Sequence, residues 1–132
     1  MNVLILVVDD EPDIAELFRQ QFRRELRAGR FAMAFAHSAP EALERVQAAD
    51  APNLLLMFSD INMPGMTGLE LLPLVRTARP EVPVIMITAY GDDATRQKVE
   101  AAGAVGLITK PIDFALLKTE IERRLALRAG AE

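Results

Sequence analysis

Two periodicities alternate along the chain. Short runs that are apolar at nearly every position occur at Val3–Val8, Leu54–Phe58, Val84–Ile87 and Val105–Ile108. Each is about a strand in length, and unbroken apolarity is how a strand buried on both faces of a parallel sheet reads. A fifth segment, Phe31–Ala36, alternates Phe-Ala-Met-Ala-Phe-Ala. Its period of two predicts a strand with large residues on one face and small ones on the other. Helical spacing fills the intervals. Ile14, Leu17, Phe18 and Phe22 mark a first helix, and Pro12 suits its first turn. Leu43 and Val46 mark a second. It opens on Ser38-Ala39-Pro40-Glu41, where hydroxyl and carboxylate can each serve an orphan N–H. Thr67-Gly68-Leu69-Glu70 is another such box and opens a third helix through Arg76. Pro73 inside it has no N–H to donate and its ring crowds the Leu69 carbonyl, which predicts a kink. Asp92 or Asp93 caps a fourth helix, running to about Ala102 before Gly103. Leu116, Leu117, Ile121 and Leu125 share one face of a fifth, from Ile112 to about Arg128.

Five strand–helix units in strict alternation predict an α/β fold: a doubly wound, parallel, five-stranded sheet with helices on both faces and right-handed crossovers. Ala51-Pro52-Asn53 and Arg79-Pro80-Glu81-Val82-Pro83 read as ordinary short loops. Nothing reads as a repeat or linker, so one domain is expected over residues 1–128, with a frayed tail over 129–132.

Composition narrows the chemistry. At 132 residues, 51% of them apolar, the chain can bury a core without staples. The absence of cysteine excludes disulfides and thiolate zinc sites, and one histidine, His37, leaves almost nothing for a histidine cage or a Ser-His-Asp triad. His37 itself reads as a surface residue after the second strand. The net charge of −4 argues against wrapping a nucleic acid. No apolar run reaches a bilayer span. The opening Met1-Asn2-Val3 lacks a basic lead and soon meets two aspartates, so it does not read as a signal peptide. A cytoplasmic protein without membrane contact is expected. The methionines Met57, Met63, Met66 and Met86 read as packing, and Arg19, Arg23, Arg24 and Arg27 as a solvated helix face.

Ligands of open α/β sheets bind outside the carboxyl ends of the strands. At those ends stand Asp9-Asp10-Glu11, Ser59-Asp60, Thr88-Ala89 and Thr109-Lys110-Pro111. Any one of these alone reads as a turn or a helix cap. Together they bring three carboxylates, one hydroxyl and one ammonium to a single rim. Three carboxylates in one cleft raise each other's pKa unless a cation joins them. Magnesium suits such a set, because it uses few carboxylates and leaves room for a phosphate oxygen. Lys110 can pair with Asp60 at rest or with a phosphoryl oxygen. Thr88 can donate to the same oxygen. A carboxylate beside a metal is also a competent nucleophile toward phosphorus, so the rim reads as an aspartyl-phosphate site.

At these residues the sequence resembles the receiver domain of bacterial two-component response regulators. The matching text is Val7-Val8-Asp9-Asp10-Glu11-Pro12, then Ser59-Asp60-Ile61-Asn62-Met63-Pro64-Gly65-Met66-Thr67-Gly68, Ile87-Thr88-Ala89-Tyr90 and Thr109-Lys110-Pro111, so the resemblance spans about Leu4 to Leu125. It implies a flavodoxin-like (βα)5 fold with strand order 2-1-3-4-5. It implies Asp60 as phosphoacceptor, with Asp10, Asp60 and the backbone carbonyl of Asn62 on Mg2+ and Asp9 reaching the metal through water. Thr88 and Lys110 would hold the phosphoryl oxygens, and the Lys110–Pro111 peptide would be cis. The implied partners are a sensor histidine kinase or phosphotransfer protein, and a downstream effector or C-terminal output domain. The implied response is a shift at the face of the fourth helix, fifth strand and fifth helix. Such a protein is a phosphorelay switch rather than an enzyme, catalysing only its own phosphorylation and dephosphorylation. It would be either a stand-alone receiver or the front of a longer regulator, with phosphorylation-dependent dimerisation left open.

The chain departs from the family pattern three residues before the lysine, where an aromatic switch residue is usual and Leu107 stands instead. Tyr90, two residues after Thr88, is the aromatic available to lie over the site. Other classes fit less well. A phosphatase using an aspartyl phosphate pairs its nucleophile with an acid two residues on, and that position is Asn62. A flavin carrier needs a hydroxyl- and glycine-rich loop where Asp9-Asp10-Glu11 stands. A receiver that ignores phosphate would not need all five site residues.

Overall fold

Strands apolar on both sides require helices over both faces of the sheet, and that is how the chain folds. The computed structural model describes residues 3–48 and 53–131; residues 1–2, 49–52 and 132 lie outside the described residues, and with them the Ala51-Pro52 part of the expected loop. In chain order the elements are β1 (Leu4–Val8), α1 (Pro12–Gln21), α2 (Arg23–Arg27), β2 (Ala32–Ala36), α3 (Ala39–Gln47) and β3 (Leu54–Asp60). They continue with α4 (Gly68–Ala78), β4 (Val84–Thr88), α5 (Asp93–Ala101), β5 (Gly106–Thr109) and α6 (Phe114–Ala131). The strands form one parallel sheet in the order β2-β1-β3-β4-β5. The expected fourth and fifth helices are α5 and α6.

Alternate residues of β1 feed opposite cores. Ile5 and Val7 join Phe18 of α1, Phe22 just after it, and Leu117 and Ile121 of α6. Leu6 and Val8 join Val46 of α3, Leu71 and Val75 of α4 and Val99 of α5. The two-residue period of β2 sorts as its sequence predicts: Met33 and Phe35 pack on the α1–α6 side, Ala34 and Ala36 on the α3 side. Phe18 is fully buried, with its ring centroid 5.2 to 6.4 Å from those of Phe22, Phe35, Phe58 and Phe114. No helix among the described residues is long and apolar enough to cross a membrane.

The capping chemistry is as expected, with one variation. Glu70 N–H donates to Thr67 Oγ1 (3.2 Å) while Thr67 N–H donates to Glu70 Oε1 (3.0 Å). Thr95 N–H donates to Asp92 Oδ1, which settles Asp92 as the cap of α5. Ser38 Oγ accepts from Glu41 N–H, but the Glu41 carboxylate reaches back to His37 N–H instead of that of Ser38. His37 is exposed. Pro73 sits inside α4 on its solvent side, and the helix continues through it.

Most element ends fall within two residues of expectation, and the informative differences are these. β3 runs on to Asp60 because Ser59 and Asp60 pair with Met86 and Ile87 of β4; partners in the ladder, not hydropathy, hold those polar residues in the strand. β5 is displaced by one residue, to Gly106–Thr109. The short helix α2 was not foreseen, since Arg23-Arg24-Glu25-Leu26-Arg27 has no apolar period. α6 continues to Ala131, beyond the expected end near Arg128, through a stretch rich in the good helix former alanine.

Candidate functional site

The strand order sets β1, β3, β4 and β5 side by side, so their carboxyl ends share one rim. Asp9 and Asp10 follow the last residue of β1, Asp60 ends β3, Thr88 ends β4 and Lys110 follows β5. Asp9, Asp10 and Asp60 each present one carboxylate oxygen, and these oxygens lie within 4.8 Å of one another. Asp9 and Asp60 are buried and Asp10 is half-buried. Lys110 Nζ lies 3.3 Å from Asp60 Oδ2 and 3.6 Å from Asp9 Oδ2. Its peptide bond to Pro111 is cis.

Backbone donors fix the two buried carboxylates. Glu11 N–H donates to Asp9 Oδ1 at 2.9 Å, and Asn62 N–H donates to Asp60 Oδ1 at 3.3 Å. Each acid is thereby tied to its own loop and keeps its other oxygen for the cleft. Burial raises the Asp9 carboxyl above its ordinary value of 3.8. The Glu11 N–H and Lys110 pull it back down, while Asp60 and Asp10 push it further up, and the net is a rise. For Lys110, burial works against the charged form, but Asp9 and Asp60 outweigh it and raise the ammonium above 10.5. The ammonium therefore stays charged, yet one cation does not relieve three acids.

Thr88 is 1% exposed. Its Oγ1 accepts from Tyr90 N–H at 3.1 Å, and its carbonyl accepts from Lys110 N–H at 2.8 Å. It reaches the rim by strand pairing and makes no bond to the carboxylates. The Tyr90 ring is 66% exposed, so in this state it covers little. Leu107 is half-buried against the core on the α3–α5 side.

Two residues the sequence reading left without a role support the site. Ser59, fully buried, donates from Oγ to the Asp60 carbonyl at 3.1 Å. Gly68 donates its N–H to Ile61 O at 2.8 Å, and a Cβ there would strike the Asp60 carbonyl and the Met86 methyl. Only glycine lets the start of α4 lie this close under the end of β3. Its place after Met-Thr in a Gly-rich loop was the available signal.

A parallel β2-β1-β3-β4-β5 sheet with an acid cluster and one lysine at its carboxyl rim defines the CheY-like class of flavodoxin folds. The response regulator receiver domain model matches residues 5–122, and the chain belongs to that family. It is similar to the response regulator protein PilR of Pseudomonas aeruginosa, with 35% identity over 123 residues, 93% of this chain and 26% of that protein. The chain thus spans about a quarter of the length of that relative, and about half of others such as MprA. Among solved structures, the CheY-like receiver domain protein of Methanospirillum hungatei JF-1 superposes with a TM-score of 0.84 at 27% identity, covering all of both chains. The CheX-CheY-BeF3-Mg+2 complex of Borrelia burgdorferi matches at 28% identity and TM-score 0.79, over 90% of this chain and 86% of that one. The protein is therefore a signalling domain of two-component systems.

Proposed function

We propose that this receiver accepts a phosphoryl group on Asp60 from a partner histidine kinase or phosphotransfer protein, in a magnesium-dependent reaction. The carrying observation is the rim itself: three carboxylates whose oxygens lie within 4.8 Å, with one ammonium bridging two of them. The donor set fits a hard cation: three carboxylates offer oxygen ligands, and burial together with the neighbouring acids already raises Asp9. Asp10, Asp60 and the Asn62 carbonyl would hold Mg2+, and Asp9 would meet it through water. When bound, the ion supplies charge neutralisation for the incoming phosphate. A neighbour solved with beryllofluoride and magnesium is in keeping with this.

In the transfer, an oxygen of Asp60 forms the new bond to phosphorus while the bond from phosphorus to the donor's histidine nitrogen breaks. That nitrogen keeps the electron pair and takes up a proton. The Asn62 N–H holds Asp60 in place through Oδ1. Lys110 exchanges its Asp60 contact for a phosphoryl oxygen, and Thr88 turns its hydroxyl toward another. Because Thr88 Oγ1 accepts from Tyr90 N–H, moving it releases the loop that leads into α5. We read the response as a shift of the α5–β5–α6 face, where Val105 and Leu116 stand exposed for an effector or output domain. The setting we propose is the cytoplasm.

Incubation with acetyl phosphate and magnesium should add one phosphoryl group, labile to hydroxylamine, seen by intact-protein mass spectrometry. Asp60→Asn should remain unlabelled. Labelling of that variant at the wild-type rate would overturn the assignment.

A further inference from the structure

The arginine run of the first helical segment is not absorbed by the phosphoacceptor rim. Between residues 19 and 30 stand Arg19, Arg23, Arg24, Arg27 and Arg30 against one carboxylate, Glu25. That is +4 in a chain of net charge −4, so the rest carries −8. The segment ends just before β2, whose first residue, Ala32, pairs with Leu4 at the start of β1. The basic cluster thus leads into the amino-terminal edge of the sheet, whereas the three aspartates stand at the carboxyl edge.

Part of the cluster is already neutralised. Arg19 faces Glu16 at 3.7 Å and Arg30 pairs with Glu122 at 2.7 Å. Arg23, Arg24 and Arg27 are exposed and have no carboxylate partner among the described residues. Lys118 of α6 is half-buried and also lacks a carboxylate; its Nζ instead stands 5.7 Å from the Phe22 ring. Between α6 and the α1–α2 elbow lies a groove of about 400 Å³ lined by Gln20, Gln21, Arg23, Arg24, Glu25 and Lys118. Three cations on two walls therefore face one space whose lining holds a single acid, Glu25.

We propose that this groove docks an acidic segment of a partner protein, independently of the phosphoacceptor site. Guanidinium forks take carboxylates in pairs, and the two glutamines add neutral donors between them. Charge complementarity selects a short anionic chain over the other polyanions. A nucleic acid would bring its many charges against the −8 carried by the rest of the molecule. A membrane surface needs an apolar anchor beside the cations, and none of the exposed large apolar residues lines the groove. Because no residue lining the groove belongs to the acid rim, a partner held here leaves Asp60 open to a phosphodonor.

The test is fluorescence anisotropy with the whole chain and a short fluorescein-labelled peptide rich in Asp and Glu, beside its Asn/Gln counterpart. Binding of the acidic peptide alone is expected, weakening steeply between roughly 25 and 200 mM salt. Arg23→Glu with Arg24→Glu should weaken it roughly tenfold, two exposed pairs being lost. The milder Arg23→Gln, Arg24→Gln and Lys118→Gln set should act in the same direction, and an unchanged thermal midpoint shows that these variants fold. No binding by the wild type, equal binding by the variants, or tighter binding to duplex DNA or to phosphatidylglycerol vesicles than to the peptide would each overturn the proposal.

Discussion

Neutralising Asp9 should stabilise the metal-free protein. The side chain is buried and shares its cleft with Asp10 and Asp60, whose oxygens lie within 4.8 Å. At an effective dielectric constant near 20, two unit charges at that distance repel by roughly 3.5 kcal/mol. The Lys110 ammonium, 3.6 Å away, attracts with a similar magnitude, roughly 5 kcal/mol on the same scale. Asp9→Asn removes two repulsions and the burial of a charge, and loses one attraction. Lys110 and Asp10 are partly in solvent, so screening trims every part, leaving a gain of roughly 1–2 kcal/mol. For a chain of this length that is a rise of roughly 3–8 °C in Tm. The amide oxygen can still accept from Glu11 N–H, so the loop is kept. The sign of the pH dependence follows from the raised carboxyl. Native Asp9 holds its proton more tightly than the unfolded chain does, so its contribution favours folding below 3.8 and is lost as pH rises through the raised native value. Urea unfolding followed by circular dichroism in EDTA, from acid to neutral pH, measures both effects. The difference between wild type and Asp9→Asn should grow with pH across that window. Magnesium at ten times its dissociation constant should add about 1.4 kcal/mol to the wild type and less to the variant. An Asp9→Asn protein that is less stable than wild type in EDTA at neutral pH would refute the electrostatic account.

Gly68→Ala should cost about 3 kcal/mol and weaken magnesium stabilisation as well, because its Cβ displaces the Asp60 carbonyl; urea titration with and without magnesium measures both. Phe18→Ala should cost about 3–5 kcal/mol while leaving magnesium stabilisation intact, since the lost ring lies in the core under α1. Lys110→Ala should destabilise the metal-free state by roughly 1–2 kcal/mol and enlarge the magnesium increment, both visible in thermal melts. The stability Lys110 supplies is fully present below 10.5 and is lost as pH rises through its raised native pKa, so the variant and wild type should converge in strong alkali. Tyr90→Ala should change the dephosphorylation rate less than about twofold, since a ring 66% exposed excludes little water from an in-line attack. A rate several-fold faster would restore a shielding role for the ring.

The acid rim was legible because each of its members follows an apolar run, and a parallel sheet sends the carboxyl ends of neighbouring strands to one side. Val7-Val8-Asp9-Asp10, Phe58-Ser59-Asp60 and Ile108-Thr109-Lys110 each carry their own strand signal, so the convergence could be read without coordinates. The same reasoning explains what escaped. The apolar run of β3 stops at Phe58, yet the polar Ser59 and Asp60 belong to the strand because β4 pairs with them. Pairing depends on the neighbour, which a one-dimensional pattern does not contain. α2 escaped because only Leu26 of its five residues packs against the core, so no hydrophobic period marks it. The close approach of Gly68 to Asp60 escaped for a third reason: a glycine in a loop shows only that backbone freedom is allowed, not which atom comes near.

The position of Leu107 joins these points to function. An aromatic side chain at that place could report on the site by swinging between burial and solvent. Leucine offers no such polar handle, and here it packs half-buried into the core on the α3–α5 side. In the response proposed above, the link from the rim to α5 passes through backbone. Thr88 Oγ1 accepts from Tyr90 N–H, and the Thr88 carbonyl accepts from Lys110 N–H, so one residue holds both the β4–α5 loop and the lysine-bearing end of β5. Gly91 lets the same loop lie close to β5, since a Cβ there would strike the Thr109 methyl group. A threonine that gives up its loop contact to reach a phosphoryl oxygen loosens this junction without any ring having to move. On this proposal the exposed Tyr90 ring would travel with its backbone and change what α5 shows to a partner.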